Sequence, residues 1–160
     1  MIVRKATPED AAGIARIMGE IAAERVHSAI TTAWTAAEQR SYIESLSARE
    51  AIHVAVDGTI IGVQTLEKGP FESMAHVAQI GTFLTAKARG RGIGRQLFEA
   101  TRAFAVSHGY RKFAIQVRGS NAHAQAFYKS LGFLECGRWR AHVCIDGAFD
   151  DEVLMELPLE

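Results

Sequence analysis

The run Arg89-Gly90-Arg91-Gly92-Ile93-Gly94 constrains this chain more than any other stretch. It lies between an apolar segment, His76 to Leu84, and a stretch in which Ile93, Leu97, Ala100 and Phe104 recur at i, i+4, i+7 and i+11. Those spacings mark one face of a helix, so the segment reads as strand, glycine loop, helix. Three glycines let the backbone turn tightly with its N–H groups aimed into one concavity. The helix N-terminus adds partial positive charge there, and Arg89, Arg91 and Arg95 add full charges. Such a concavity suits an anion, a phosphate or pyrophosphate above all.

Two common phosphate loops do not fit these residues. A Walker loop needs Lys and then Ser or Thr after its last glycine, whereas Gly94 is followed by Arg95 and Gln96. A dinucleotide fingerprint needs a third glycine where Arg95 stands, and an acidic residue where Arg111-Lys112 stand. The pattern that fits is Arg-x-x-Gly-x-Gly, at Arg89, Gly92 and Gly94. It resembles motif A of the GCN5-related N-acetyltransferases (GNAT family), whose loop holds the pyrophosphate of acetyl-CoA. Asn121, Ala124, Phe127, Tyr128, Gly132 and Phe133 resemble the family's motif B, Asn-x-x-Ala-x-x-x-Tyr-x-x-x-Gly-Phe. They follow motif A at the right place, with a helix and one strand (Phe113, Ile115, Val117) between. The resemblance is most specific from His76 to Phe133 and weakest from Glu20 to Ala51.

With 160 residues, 48% of them apolar, the chain reads as a single domain, 1–160, able to bury a substantial core. Eighteen basic and eighteen acidic residues balance, so no global field favours nucleic acid or membrane. The basic cluster therefore reads as a small-ligand site. No apolar run approaches the roughly 18 residues that span a bilayer. Met1-Ile2-Val3-Arg4-Lys5 lacks the apolar core of a signal peptide, and a cytoplasmic location is expected. Cys136 and Cys144 fall in one long strand without CxxC spacing; neither disulfide nor zinc is implied, and buried free thiols are expected. His53, His76, His108, His123 and His142 form no metal spacing, so no metal is expected.

Along the chain, Met1 to Ala6 reads as a strand and Thr7-Pro8-Glu9-Asp10 as a helix start. Thr35-Ala36-Ala37-Glu38 is a capping box opening a second helix toward Ser47. Asp57-Gly58 joins a strand through Ile52, Val54 and Val56 to one from Ile60 to Leu66. Gly109 caps the helix after the glycine loop. Arg138 to Ile145 and Asp151 to Leu157 form a last hairpin around Asp146-Gly147. The order is β-α-α-β-β-β-α-β-α-β-β. The chain is thus of the α/β (α+β) class. The resemblance implies a mixed, mostly antiparallel twisted sheet of about seven strands with about four helices.

The resemblance also implies chemistry. Acetyl-CoA would be the co-substrate, its pyrophosphate held at Arg89, Gly90, Arg91, Gly92, Ile93, Gly94 and Arg95. In the family the fourth and fifth strands splay, and the pantetheine arm pairs with the open edge as an added strand would. That edge falls near Thr82, Phe83, Leu84 and Thr85, although Phe83 and Leu84 can pack into the core as well. Asn121 is either a helix N-cap or a neighbour of the cofactor arm. Tyr128 matches the proton donor to the departing thiolate, since a phenol with an ordinary pKa near 10 is protonated at neutral pH; otherwise it is a core aromatic beside Ala124, Phe127 and Leu131. Gln79 stands where many relatives carry a glutamate base, and an amide takes no proton. Glu67, His76, His53 and His142 are alternatives by type, and transfer by positioning alone is open.

Arg4-x-Ala6-x-x-Asp10-Ala11-x-x-Ile14 and Ile145-Asp146-Gly147 with Asp151-Glu152-Val153 resemble, more loosely, the phosphinothricin acetyltransferase branch. The expectation is acetyl transfer to a primary amine of a small molecule through a ternary complex; the resemblance allows a homodimer, common among relatives, and leaves the oligomeric state open. A protein N-terminus or lysine as acceptor, and a non-catalytic acyl-CoA-binding module, are the alternatives. The partly apolar connection His27–Trp34 would cap a small pocket but obstruct a peptide groove.

Overall fold

The computed structural model describes residues 1–160. The chain runs β1 (Ile2–Lys5), α1 (Ala11–Glu24), α2 (Ala36–Ser45), β2 (Ala51–Asp57), β3 (Thr59–Lys68), β4 (Val77–Leu84), α3 (Ile93–Ser107), β5 (Lys112–Arg118), α4 (Ala122–Ser130), β6 (Leu134–Ile145) and β7 (Ala148–Pro158). This is the expected order and class. β6 begins at Leu134 instead of Arg138, because Leu134 already pairs with Glu156 of β7.

Local chemistry sets the boundaries. At α2, the Glu38 N–H donates to Thr35 Oγ1 at 3.2 Å, and the Glu38 carboxylate accepts from the Thr35 N–H at 2.8 Å, closing the capping box. Ahead of α1, the Asp10 carboxylate accepts from the Thr7 N–H at 2.8 Å and from the Arg4 guanidinium at 2.8 and 2.9 Å. That pair fastens β1 to the start of α1. Arg25, with φ of 57°, ends α1 in the left-handed region and turns the chain into an irregular segment reaching Trp34. Asp146 and Gly147, with φ of 51° and 79°, make the two-residue turn that the β6–β7 hairpin needs.

The strands form one sheet in the order β1-β2-β3-β4-β5-β7-β6. All neighbours are antiparallel except β4 and β5. One face packs Ile14, Ile17 and Ile21 of α1 on Ile52, Val54 and Val63. The other packs α3 and α4 on Leu66, Ile80, Phe113 and Met155, with Phe98 and Phe133 between them. No helix is long and apolar enough to cross a membrane.

One expectation is corrected here. Cys136 and Cys144 are free but exposed. They lie on the edge strand β6, where only Val143 and Ile145 are buried. An edge strand without a packed layer over it buries little, whatever its pattern of apolar residues suggests.

Candidate active site

β4 pairs with β3 from Ala78↔Lys68 through Leu84↔Gly62. It pairs with β5 only at Val77↔Lys112, Ala78↔Phe113 and Gln79↔Ala114. Past Gln79 the two strands part, as the sequence resemblance implied. The Thr85 N–H donates to the Ile61 carbonyl at 3.1 Å, so the alternation of an antiparallel ladder turns the carbonyl of Ile80 and the backbone groups of Thr82 and Leu84 toward the open side, while the Ile80 N–H closes the last bridge to β5 at Gln79↔Ala114. A cleft of about 670 Å³ opens at this fork and runs to the glycine loop.

In the loop, Gly90 and Gly92 have φ of 71° and 75°, and a Cβ on either would meet no atom within 4 Å. Their backbone is thus left-handed around open space, with the N-terminus of α3 behind it, which suits an anion. Gly94 differs. It lies inside α3, and a Cβ there would stand 3.0 Å from Phe127 Cζ, so its smallness lets α3 approach α4. Arg95 joins the same two helices by donating to the Ser130 carbonyl at 3.3 Å.

The structure places the other expected residues as follows. Phe83, Leu84, Ile93 and Arg95 line the cleft with Arg89, Gly90, Gly92 and Gly94; Arg91 and Thr85 do not. The Arg89 guanidinium is already engaged. It donates to both Glu24 carboxylate oxygens, at 3.0 and 2.8 Å, and to the Leu84 carbonyl at 3.1 Å. In return Arg89 holds the Glu24 carboxyl below the ordinary carboxylate range. Asn121 fulfils its capping reading, since its Oδ1 accepts from the Ala124 N–H at 3.0 Å. Its amide also reaches the cleft wall and donates to the His27 carbonyl at 3.1 Å. Arg118 donates to the Arg25 carbonyl at 2.7 Å. Together Arg89, Asn121 and Arg118 pin the segment after α1 over the fork, where His27, Ser28, Ala29 and Ile30 roof the cleft.

Tyr128 is buried, 6% exposed, with its hydroxyl 2.8 Å from Thr82 Oγ1. Gln64 Nε2, itself buried, donates to the same Thr82 oxygen at 2.8 Å. A hydroxyl carries one proton. Thr82, accepting from Gln64, can offer its proton to the Tyr128 oxygen, which leaves the Tyr128 O–H free for the cleft. Burial raises the Tyr128 pKa, against the Thr82 hydroxyl and amide, which favour the phenolate.

Gln79 lies at the root of the fork and lines the cleft. Its cross-strand partner is Glu67, so both side chains stand on the same face of the sheet. Of the four titratable alternatives, only Glu67 lines the cleft. His53 is buried in β2, its Nδ1 3.0 Å from Thr101 Oγ1, and burial pushes it down to about 4. His76 is exposed, and His142 lies 4.0 Å from Glu152 on the hairpin. Sequence reasoning placed His27 in the segment capping the pocket but missed Glu152, Gln64 and Tyr42 as neighbours of this site. Nothing in their local spacing marks them, because strand pairing and the segment after α1 bring them together. No group of three His, Cys, Asp or Glu side chains gathers to hold a metal ion.

Residues 20–133, which carry the fork, the glycine loop and Tyr128, match the model of the acetyltransferase (GNAT) family. The chain belongs to the GNAT family. A [Ribosomal protein bS18]-alanine N-acetyltransferase of Salmonella typhimurium is 36% identical over 69 residues, 43% of this chain and 47% of that protein. The chain thus matches about half the length of this curated relative. A GNAT protein from Kribbella flavida superposes with a TM-score of 0.87 at 28% identity, over 99% of this chain and 97% of that one. A phosphinothricin acetyltransferase from Sinorhizobium meliloti, solved with acetyl-CoA, superposes with a TM-score of 0.92 at 23% identity, over 99% and 88% of the two chains. At that identity the likeness is one of GNAT fold.

Proposed function

We propose that this GNAT protein transfers the acetyl group of acetyl-CoA to the primary amine of a small molecule within a ternary complex. One observation carries the reading: a single cleft joins the open glycine cradle to the unpaired edge of β4 and ends at Tyr128. Acetyl-CoA fits that cleft and supplies the acetyl thioester. The amides of the loop and of the first turn of α3 hold its pyrophosphate, helped by Arg95. The backbone groups of Thr82 and the Leu84 N–H pair with the amides of its arm. Arg89 acts from behind, keeping the loop against Glu24 and Leu84. Tyr128 gives its proton to the departing sulfur and is reprotonated. The attacking nitrogen sheds two protons in all: one ends on the CoA thiol, the other in water. Gln79 orients the amine or a water at the fork without titrating.

The pinned roof of His27 to Ile30 favours a small acceptor, since an extended peptide has to pass where it lies. A protein N-terminus is the second reading, favoured by the activity in the name of the Salmonella relative. The test is CoA release from acetyl-CoA with a panel of small amines and of short peptides with free N-termini. Turnover of small amines with idle peptides supports the proposal. Turnover of peptides alone defeats the small-molecule reading, and CoA binding with no turnover on any acceptor makes the protein an acyl-CoA binder.

A further inference from the structure

A second cavity, of about 280 Å³, opens beside the first and shares Ile30, Thr65, Glu67 and Phe83 with it. α1, α2, β3 and the segment after α1 enclose it. Its walls are mostly aliphatic side chains and three aromatic rings, Trp34, Tyr42 and Phe83, with Thr32, Gln39 and Thr65 as neutral polar groups among them. Trp34 and Tyr42 meet edge to face with centroids 5.0 Å apart. Among the side chains lining it there is one carboxylate, Glu67, and no Lys, Arg or His. Glu67 stands where the two cavities meet, and the Tyr42 hydroxyl donates to its Oε1 at 2.7 Å.

That chemistry selects a ligand. A primary ammonium finds a carboxylate and aromatic faces at the junction, both favourable to a cation. An apolar body finds apolar walls beyond it. A carboxylate on the same ligand finds no cation, only the neutral donors of Thr32, Gln39 and Thr65, and it shares the cavity with Glu67, so its charge is uncompensated. Of the three guanidiniums lining the larger cleft, Arg89 and Arg118 are committed to Glu24 and Asp150, and Arg95 stands on α3 at the glycine loop, donating to the Ser130 carbonyl. Resting on the acetyltransferase reading above, we propose that the smaller cavity is the acceptor subsite. It takes a primary amine carrying a compact apolar, preferably aromatic, body and no carboxylate, with Glu67 holding the amine head beside Gln79. This separates the protein's acceptor from amino acids, in which a carboxylate accompanies the amine.

Matched pairs test the claim, because phenylethylamine and L-phenylalanine, or tryptamine and L-tryptophan, differ only in the carboxylate. Acetyl-CoA binding is measured first, by calorimetry. Each acceptor is then followed by CoA release, and phenylethylamine binding to the CoA-loaded protein by Trp34 fluorescence in a Trp139→Phe background. In each pair the amine should exceed its amino acid in kcat/KM by on the order of 100-fold. Glu67→Gln should raise KM for phenylethylamine at least about tenfold while acetyl-CoA affinity stays the same. The proposal is overturned if either amino acid matches its amine, if CoA-loaded protein binds no phenylethylamine, or if Glu67→Gln leaves its KM unchanged. Absence of acetyl-CoA binding in the unaltered protein would instead bring down the acetyltransferase reading on which it rests.

Discussion

At the fork one oxygen has to meet two demands. The Tyr128 ring is buried among core rings, its centroid 5.3 Å from that of Phe133, and its hydroxyl must still present a proton to the cleft. Thr82 resolves the conflict by supplying a partner that does not consume that proton. Tyr128→Phe should therefore keep the fold and the acetyl-CoA affinity, and lower kcat by about 10²–10⁴, the usual cost of losing a general acid. Single-turnover kinetics would check this, and an unchanged chemical step would reduce Tyr128 to a packing residue. Gln79 yields a different kind of prediction. Gln79→Glu places a second carboxylate opposite Glu67 and should shift the acid limb of the pH–rate profile, through either proton uptake or a retained ammonium ion. Gln79→Ala should lose rate and keep the limb where it is. Profiles identical in shape and height for both variants would put Gln79 outside the chemistry. At this scale the sequence was informative where a residue's type limits its role, as for Tyr128 and Gln79. It was uninformative where a partner decides. Arg89 reads as a free phosphate ligand in the motif, yet Glu24, distant in sequence, takes up its guanidinium. Cys136 and Cys144 read as buried because sequence shows a strand and not what covers it.

The elements were legible wherever caps and turns carry their own chemistry. The box at Thr35 and Glu38, the stop at Gly109 and the hairpin at Asp146-Gly147 all fall where local hydrogen bonding dictates. The glycine loop was legible as a whole but not glycine by glycine. Gly92 is held by its left-handed φ beside open space, Gly94 by the ring of Phe127. Gly92→Val should thus cost about 1–2 kcal/mol of stability from backbone strain and sharply weaken acetyl-CoA binding by filling the cradle. Gly94→Ala should reach binding only through a shift of α4, with a smaller loss. Calorimetric titration of both variants separates the two causes, and equal losses would contradict the assignment. His53 gives β2 and α3 a pH dependence. Burial, then the charge of Lys5, pushes it to about 4, so the unfolded chain takes up the proton more readily than the native one. The stability from keeping it neutral is whole above about pH 6.5 and is lost as the pH falls toward about 4, a difference of roughly 3 kcal/mol. His53→Gln should flatten the fall of melting temperature across that window. A fall as steep as in the unaltered protein would assign acid sensitivity to other groups.

On the scale of the molecule, the sheet is two half-sheets held by three residue pairs of β4 and β5. The core under α3 and α4 spans the join, packing Leu66 and Ile80 with Phe113 and Met155, while the core under α1 lies on β2 and β3. No local pattern announces such a fork, because whether Gln79 meets Ala114, and Thr82 meets nothing, is settled by how the halves pack and not by either strand. The resemblance to a known family supplied it, and the register bears it out. A ligand seated in the fork bridges both halves, since it touches the β4 edge, the glycine loop and the roof anchored by Asn121 and Arg118. Binding should then stabilise the molecule as one unit. At a free concentration of a hundred times Kd, linkage gives about 2.7 kcal/mol, which for a chain of this size amounts to a rise of roughly 5–10 °C in melting temperature. Hydrogen exchange should locate the effect. The amides of Thr82 and Leu84, which face the open side, and those of Gly90 to Gly94 should slow with acetyl-CoA. The amides of Gly81 and Phe83, already bonded to β3, should change little. That alternation along one strand is the signature of an arm pairing with its edge. Uniform slowing through β4 would mean general tightening of the half-sheets, and no slowing at Thr82 and Leu84 would remove the arm from the fork.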